Sequence, residues 1–574
     1  MGKLISVGQS MFDELRKRNI YYVDKTEILY ELRGADKRDH VSLFTRPRRF
    51  GKTLMMSMME NFFNINKDSR EIFEGLHIMN HPEFCEQYMN QYPVIFVSFK
   101  DAYGQDYDEA YTKFIDIIAK TCKGMVSIID NEKIDPDERK IFYALKSKTA
   151  SNAEVASSLD TLMSILYTVY GKKVILLIDE YDVPIARAFN MDENNYYPKM
   201  MGLMKGVLSY ALKDNEYLEF GVLTGCLRIA KQSIFTDVNN FTNYSIIDDE
   251  YSNYFGFTED EVHDMLYSIG CEDKLPLVRE WYDGYLFGNN HMYCPWDVVN
   301  YASKLSRNKN AIPQNFWENT SSNELLLKFV RQGYRYISDI GDDEENIEEE
   351  NYRLTKQFNA LLEGKHIYID IASNLTYDMV HSSIDNVWSI LLMTGYLTPI
   401  SFITDYSSVG VKLPNKEISS LFKSTIVSKF KKALDQKKQR GLVRSLWNKD
   451  ASEATKYLSA LLDDNISCFD YYENFYHAFL NGIFSGLGYR IKSNKEVGDG
   501  RADMIIQDDL DNRVMIIETK RTTDETKMDA MCDEAIQQIR DNRYDAPYKD
   551  TYPTVLCYGI TFYRKSALVK LMPE

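Results

Sequence analysis

Between Tyr22 and about Tyr285, short apolar runs alternate with longer stretches whose apolar residues recur at helical spacing. The runs are "VSLFT" (41–45), "PVIFVSF" (93–99), "KVILLID" (173–179) and "LEFGVLT" (218–224). Amphipathic stretches such as 106–121 and 153–170 lie between them. A strand covered on both faces shows no polar side, so this alternation predicts a parallel α/β sheet flanked by helices. The stretch "WYDGYLFGNNHMYCPWD" (281–297) breaks the rhythm and predicts a domain edge. Helical periodicity dominates from 291 to 465, and from 466 the pattern turns to helix, hairpin, helix and strand. The expected division is therefore 1–290, 291–465 and 466–574, with α/β domains at either end and a mainly helical region between.

The chain of 574 residues is longer than one core usually supports, and 44% hydrophobic with 27% charged is ordinary for a globular protein. No run approaches the ~18 apolar residues of a membrane span, and the N-terminus lacks a signal-peptide apolar run. A cytoplasmic protein with no membrane partner is expected. The eight cysteines include no CxxC pair, which argues for reduced thiols and against a zinc site. A net charge of −17 excludes nonspecific coating of nucleic acid, so any such binding must use local basic patches. One candidate is 423–449, with nine Lys/Arg against one Asp; it reads equally as a solvated helix face. The acidic run 341–351 reads as a solvated loop or insertion.

After "VSLFT" comes "RPRRFGKTLMMSMMENFF", a loop opening into an amphipathic helix. Gly51-Lys52-Thr53 has the form of a P-loop end: backbone N–H groups cradle phosphates, Lys52 reaches the β/γ oxygens and Thr53 ligates Mg²⁺. The full motif wants glycine at position 46, and this chain has Arg46. In "KVILLIDEYD", an apolar strand ends in Asp179-Glu180, placing a metal-holding acid beside one that polarises the attacking water. In "GVLTGCLRIA", Thr224 stands where a γ-phosphate-sensing residue belongs, with Arg228 near enough to approach the phosphates.

Near the end of the chain, "DMII" begins at Asp503, and "VMIIETK" places Glu518 and Lys520 on one strand face by the period of two. The turn-like "DDLDN" between them lets the strands pair and brings Asp503 alongside Glu518. Two adjacent carboxylates repel unless a cation lies between them, and hard oxygen ligands suit Mg²⁺ or Mn²⁺. Lys520 beside that ion would orient a water for attack on phosphorus. The bland alternative is a half-exposed hairpin with Glu518 and Lys520 in water. His477, on a helix upstream, reads first as a packed or solvent-facing residue and second as a phosphate contact.

These residues carry a resemblance. "YYVDKTEIL" (21–29), "TRPRRFGKTL" (45–54), "LLIDEYDVPI" (176–185), "LTGCLRIAKQSIF" (223–235), "LLMTGYLTP" (391–399) and "LPNKEI" (413–418) resemble the AAA-ATPase-like family whose members end in a PD-(D/E)XK nuclease-superfamily domain. The family's loop reads RPRRFGKT, so Arg46 fits it. The resemblance implies nucleotide contacts across Arg46, Pro47, Arg48, Arg49, Phe50 and Leu54, and a place in the pocket for Asp24-Lys25-Thr26, which also reads as a helix start. In the C-terminal domain it implies Glu473 as a helical acid supporting the metal, the Thr519 backbone carbonyl as a ligand, and Gln538 beside Asp503, Glu518 and Lys520.

The combined expectation is an ATP-binding, nucleotide-controlled, Mg²⁺- or Mn²⁺-dependent nuclease acting on DNA or RNA, with a homo-oligomer and a role against mobile DNA as analogies. The competing expectation is a nucleotide-switched nucleic-acid-binding or protein-remodelling ATPase whose nuclease fold is inactive.

Overall fold

The computed structural model describes residues 4–34, 39–191, 195–227, 241–317, 353, 356–358, 360–372, 383–401, 403, 405–422, 436–465, 473–487, 489–497, 500–508 and 511–573. Arg228, the acidic run 341–351 and residues 423–435 of the basic stretch lie outside them. The chain forms two compact units, one of residues 1–325 and 366–418, the other of 326–365 and 419–574.

The first unit is built on five parallel strands, β1 (Val41–Thr45), β2 (Val94–Ser98), β3 (Val174–Asp179), β4 (Leu218–Gly225) and β5 (Phe241–Tyr244), in the order β2-β3-β4-β1-β5. Every residue of β1 and β3 is buried, which accounts for their unbroken apolar runs. Helices α1 (Lys52–Phe63), α2 (Tyr107–Gly124), α3 (Ser158–Tyr170) and α4 (Tyr196–Leu212) supply the crossovers. Helix α2 shows the pattern at work: the Asp106 side chain caps the Glu109 N–H, and Ala110, Phe114, Ile118 and Cys122, four apart, are buried. Edge strand β5, "FTNY", is half-polar and gives no apolar run to read.

Insertion of β4 between β1 and β3 puts the ends of all three strands side by side, with Phe44 opposite Thr224, and Ile178 opposite Leu223. That register brings the loop after β1 to the acid at the end of β3. The 281–297 stretch forms a hairpin, β6 (Tyr285–Phe287) and β7 (Asn290–Met292), inside this unit and not at its boundary. Helices α5 (Pro295–Leu305) and α6 (Ile384–Met393) follow, with a small antiparallel sheet of β8 (Ile367–Ile369), β9 (Thr398–Pro399) and β10 (Val409–Lys412).

The second unit carries helices α7 (Gln436–Trp447), α8 (Ala451–Asn465), α9 (Glu473–Gly486) and α10 (Met528–Asp541) around a mixed sheet. Its strands β11 (Arg490–Val497), β12 (Gly500–Asp508), β13 (Arg513–Arg521), β14 (Thr554–Tyr563) and β15 (Ser566–Leu571) lie in sequence order, antiparallel except for β13 with β14. Met504, Ile506, Met515 and Ile517 pack with Leu442, Leu458, Tyr476 and Phe479 on one face. Ile505, Val514 and Ile516 pack with Ile539 on the other. Thus β12 and β13 are covered on both sides, and a charged residue in them needs a partner. Among the described residues, no helix is long and apolar enough to cross a membrane, and the cysteines are unbridged.

Candidate functional site

The loop after β1 closes on itself. Lys52, 4% exposed, donates from Nζ to the carbonyls of Arg46 (2.9 Å) and Pro47 (2.8 Å). Gly51 turns the chain into α1 at φ 85°, a left-handed geometry that disfavours any side chain even though a Cβ would meet nothing within 4 Å. Thr53 Oγ1 donates to Asp179 Oδ2 (2.8 Å), and Thr224 Oγ1 donates to Asp179 Oδ1 (2.6 Å). The ends of β3 and β4 and the first turn of α1 therefore converge on one carboxylate. Glu180 follows at φ 54°, strained for a residue with a side chain, and burial pushes its carboxyl up while Lys52 pulls it back.

A cavity of about 360 Å³ opens over this group. Gly51, Lys52, Thr53, Leu54 and Glu180 line it beside Arg49 and Phe50, and Tyr21, Lys25, Phe257 and Trp296 line it elsewhere. Lys25 Nζ is held by Glu261 (2.6 Å) and the Asn253 carbonyl (2.7 Å). Asp24 instead fixes local backbone, accepting from the Thr26 and His77 N–H groups.

Arg46 departs from expectation. It is fully buried, donates to the carbonyls of Tyr244 (2.8 Å) and Tyr251 (3.2 Å), and is not among the residues lining the cavity. Its guanidinium ties the loop to β5 instead of facing a phosphate. Arg48 is placed to act on Glu180 electrostatically. Tyr181 and Asp182, to which the sequence pattern assigns no role, also shape the site. Tyr181 Oη donates to the Leu227 carbonyl (2.7 Å), and Asp182 Oδ2 accepts from the N–H groups of Cys226 (2.8 Å) and Leu227 (3.1 Å). Together they fix the turn after Thr224. The signal was the second aspartate of "DEYD", although nothing in its spacing names the partner it reaches.

In the second unit the β12–β13 ladder runs to Met504 opposite Ile517 and pairs no further. At that point Asp503 turns its carboxylate to β13, where Oδ2 accepts from Thr519 N (2.8 Å) and Thr519 Oγ1 (3.0 Å). Its own N–H donates to Glu518 Oε2 (3.4 Å). Glu518, 2% exposed, also accepts from Gln538 Nε2, and the Lys520 ammonium lies 3.8 Å from Glu518 Oε1 while donating to Gln538 Oε1 (2.5 Å). Asp503, Glu518, Lys520 and Gln538 are thus brought together from two strands and a helix. Glu473 is the first residue of α9, but its side chain lies outside the described residues.

His477 is neither merely packed nor solvent-facing. Its Nε2 lies 3.3 Å from Asp503 Oδ2 and contacts Thr519 Oγ1. Sequence spacing gave no hint of this, because the contact is between a helix and a strand 26 residues on. Burial raises both carboxyls, but hydrogen bonding and charge from His477, with the Thr519 N–H, hold Asp503 below its ordinary range. In Glu518 burial first and the Asp503 charge second outweigh the Asp503 N–H, Lys520 and His477, and push it up to about 7. The pair fits a hard divalent cation on this ground: an ion between the two would replace a buried repulsion with two charge-assisted contacts. Among the described residues no three His, Cys, Asp or Glu side chains already form an ion-holding cluster.

Comparison with known proteins agrees with this geometry. Residues 6–235 match the model of the predicted AAA-ATPase family (AAA-ATPase-like), and residues 471–571 match that of the PD-(D/E)XK nuclease superfamily. The chain joins an AAA-ATPase-like domain to a PD-(D/E)XK domain. It is also 22% identical over 583 aligned positions to an uncharacterized protein in the vnfD 5' region of Azotobacter chroococcum mcd 1, covering 99% of this chain and 98% of that one. The AAA-ATPase-like match ends at 235, beyond the last strand end of the Asp179 cluster, and the PD-(D/E)XK match contains Asp503, Glu518, Lys520 and Gln538.

Proposed function

We propose that the chain is a metal-dependent nuclease whose activity is controlled by the nucleotide state of its P-loop domain. The observation that carries the reading is the Asp503–Glu518–Lys520 group, held inside a doubly covered sheet by His477 and Gln538. A buried group so costly to assemble has no structural use that Val or Thr would not serve better. Asp503, Glu518 and the Thr519 carbonyl would hold Mg²⁺ or Mn²⁺, with Glu473 supporting. The ion supplies charge stabilisation and an acidified water for attack on the phosphodiester. Lys520 orients that water, Gln538 keeps Lys520 and Glu518 in line, and His477 keeps Asp503 ionised.

At the other site the substrate is ATP. Lys52 would leave the Arg46 and Pro47 carbonyls for the β/γ oxygens, Thr53 and Asp179 would hold Mg²⁺, and Glu180 would polarise water. Thr224 couples the γ-phosphate position to Asp179, and Arg228 or an arginine of the loop would act in a homo-oligomer. A cytoplasmic enzyme acting on DNA of mobile elements is the setting in which such control makes sense.

The test is cleavage of plasmid DNA and of RNA with Mn²⁺, with and without ATP, by the wild type, Glu518→Gln and Lys52→Ala. Cutting should fall by at least about 100-fold in Glu518→Gln, and Lys52→Ala should cut without responding to ATP. Equal cutting by Glu518→Gln, or none by any form, leaves a nucleotide-switched binding or remodelling protein with an idle nuclease fold.

A further inference from the structure

Arg49 belongs to the phosphate loop and lines the nucleotide cavity, yet its guanidinium is engaged elsewhere. It donates to the Phe316 carbonyl (2.8 Å) and lies over the rings of Trp296 (4.8 Å) and Trp317 (5.9 Å). Beside this aromatic seat are two fully buried acids, Asp297 on α5 and Glu417 in "LPNKEI". Trp317 Nε1 donates to Asp297 Oδ2 (3.0 Å), and the N–H groups of Trp317 (2.9 Å) and Phe316 both donate to Glu417 Oε1.

The remaining oxygens, Asp297 Oδ1 and Glu417 Oε2, are buried with no partner of their own. Two ionised carboxylates cannot be buried side by side at tolerable cost, whereas one shared proton satisfies both orphan oxygens. Burial raises both carboxyls, but the Arg49 charge pulls Asp297 back down while the Asp297 charge pushes Glu417 further up, so the pair's charge rests on Asp297 and its proton on Glu417. The other titratable groups facing the pair, Cys294, Tyr282, Tyr285 and Tyr396, are all pushed by burial toward their neutral forms. Arg49 is thus balanced by a single negative charge.

We propose that Arg49 occupies one of two positions, docked in this seat or on the phosphates, and that Asp297 and Glu417 are positioning residues that set the exchange between them. The proposal rests on the reading that the cavity binds nucleotide, and it names how that binding is sensed. Phosphate oxygens outbid one shielded carboxylate for a guanidinium, so nucleotide draws Arg49 out. The Phe316–Trp317 segment then loses the cation that its carbonyl and ring hold, and Glu417 loses its fixed neighbour. Glu417 stands one residue before Ile418, where the chain leaves the first unit, so the seat is a place from which nucleotide state can reach the rest of the chain.

The test measures affinity for a fluorescent ATP analogue and hydrogen exchange of the peptide carrying the Phe316 and Trp317 amides, in the full chain. In the wild type, saturating analogue should speed exchange of those amides at least about fivefold. Arg49→Ala should still bind analogue through Lys52 and show no such response. Glu417→Gln, whose amide replaces a protonated carboxyl, should bind as the wild type does. The double variant Asp297→Asn/Glu417→Gln keeps the shape, removes the charge, and should bind at least about fivefold more tightly. Binding by the wild type with unchanged exchange, or an unaltered affinity in the double variant, overturns the proposal. No binding at all by the wild type would instead remove the nucleotide reading beneath it.

Discussion

Asp179 is where single atoms matter most in the first unit. Its two oxygens accept from Thr53 and Thr224, so Thr224→Ala leaves one oxygen of a buried carboxylate without a donor. The cost should be about 1–3 kcal/mol, visible as a lower denaturant midpoint with an unchanged slope. Lys52→Ala should weaken ATP binding roughly 10- to 100-fold in a titration, the loss of one charge-assisted contact. In the second unit, Glu518 sets a pH dependence. Its folded value near 7 lies above its ordinary 4.5, so the metal-free protein carries this stability in full below about 4.5 and loses it as pH rises through about 7. Glu518→Gln should flatten that slope in metal-free melts, and Mn²⁺ should restore the wild type at high pH. Lys52, Thr53 and Asp179 were legible because loop and strand-end chemistry is local. Asp503, Glu518 and Lys520 were legible because strand faces alternate. The partners of His477 and Asp182 were not, since each reaches them through packing that no spacing records. Arg46 was misread because a side chain that long serves a phosphate or a buried carbonyl equally well.

Elements explain why these atoms stay in place. Helix α10 carries Gln538 to the Glu518–Lys520 pair and lies tight against β14, where a Cβ added at Gly559 would come within 2.6 Å of the Cys532 carbonyl. Gly559→Ala should therefore shift α10, cost about 1–3 kcal/mol, and depress cleavage while leaving ATP binding intact. Melting and cleavage assays on one preparation check it. The apolar runs revealed β1, β3 and β4 because full or nearly full burial leaves little room for polar residues in a strand, and β2 kept an apolar run although only its alternate residues are buried. Edge strand β5 and the short sheet of β8 to β10 gave no such signal, since partly solvated or two- to four-residue strands carry little pattern. The end of the β12–β13 ladder at Asp503 was equally invisible, although it leaves the Thr519 N–H to donate to the Asp503 carboxylate.

For the whole molecule, the chain order does not follow the units. Residues 366–418 return to the first unit after 326–365 belong to the second, so the expected boundaries at 290 and 465 do not coincide with the compact divisions. Periodicity identifies helices and cannot say which core they join; α7 and α8 pack on the second sheet. In the proposed nuclease, Asp503 and Glu518 share one divalent ion. Mn²⁺ titrated into the nucleotide-free protein and followed by electron paramagnetic resonance tests this most directly. A bound-ion signal in the wild type and in Lys52→Ala, absent from both Asp503→Asn and Glu518→Gln, is the predicted result. A signal that survives either acid substitution unchanged, or never forms in the wild type, contradicts it.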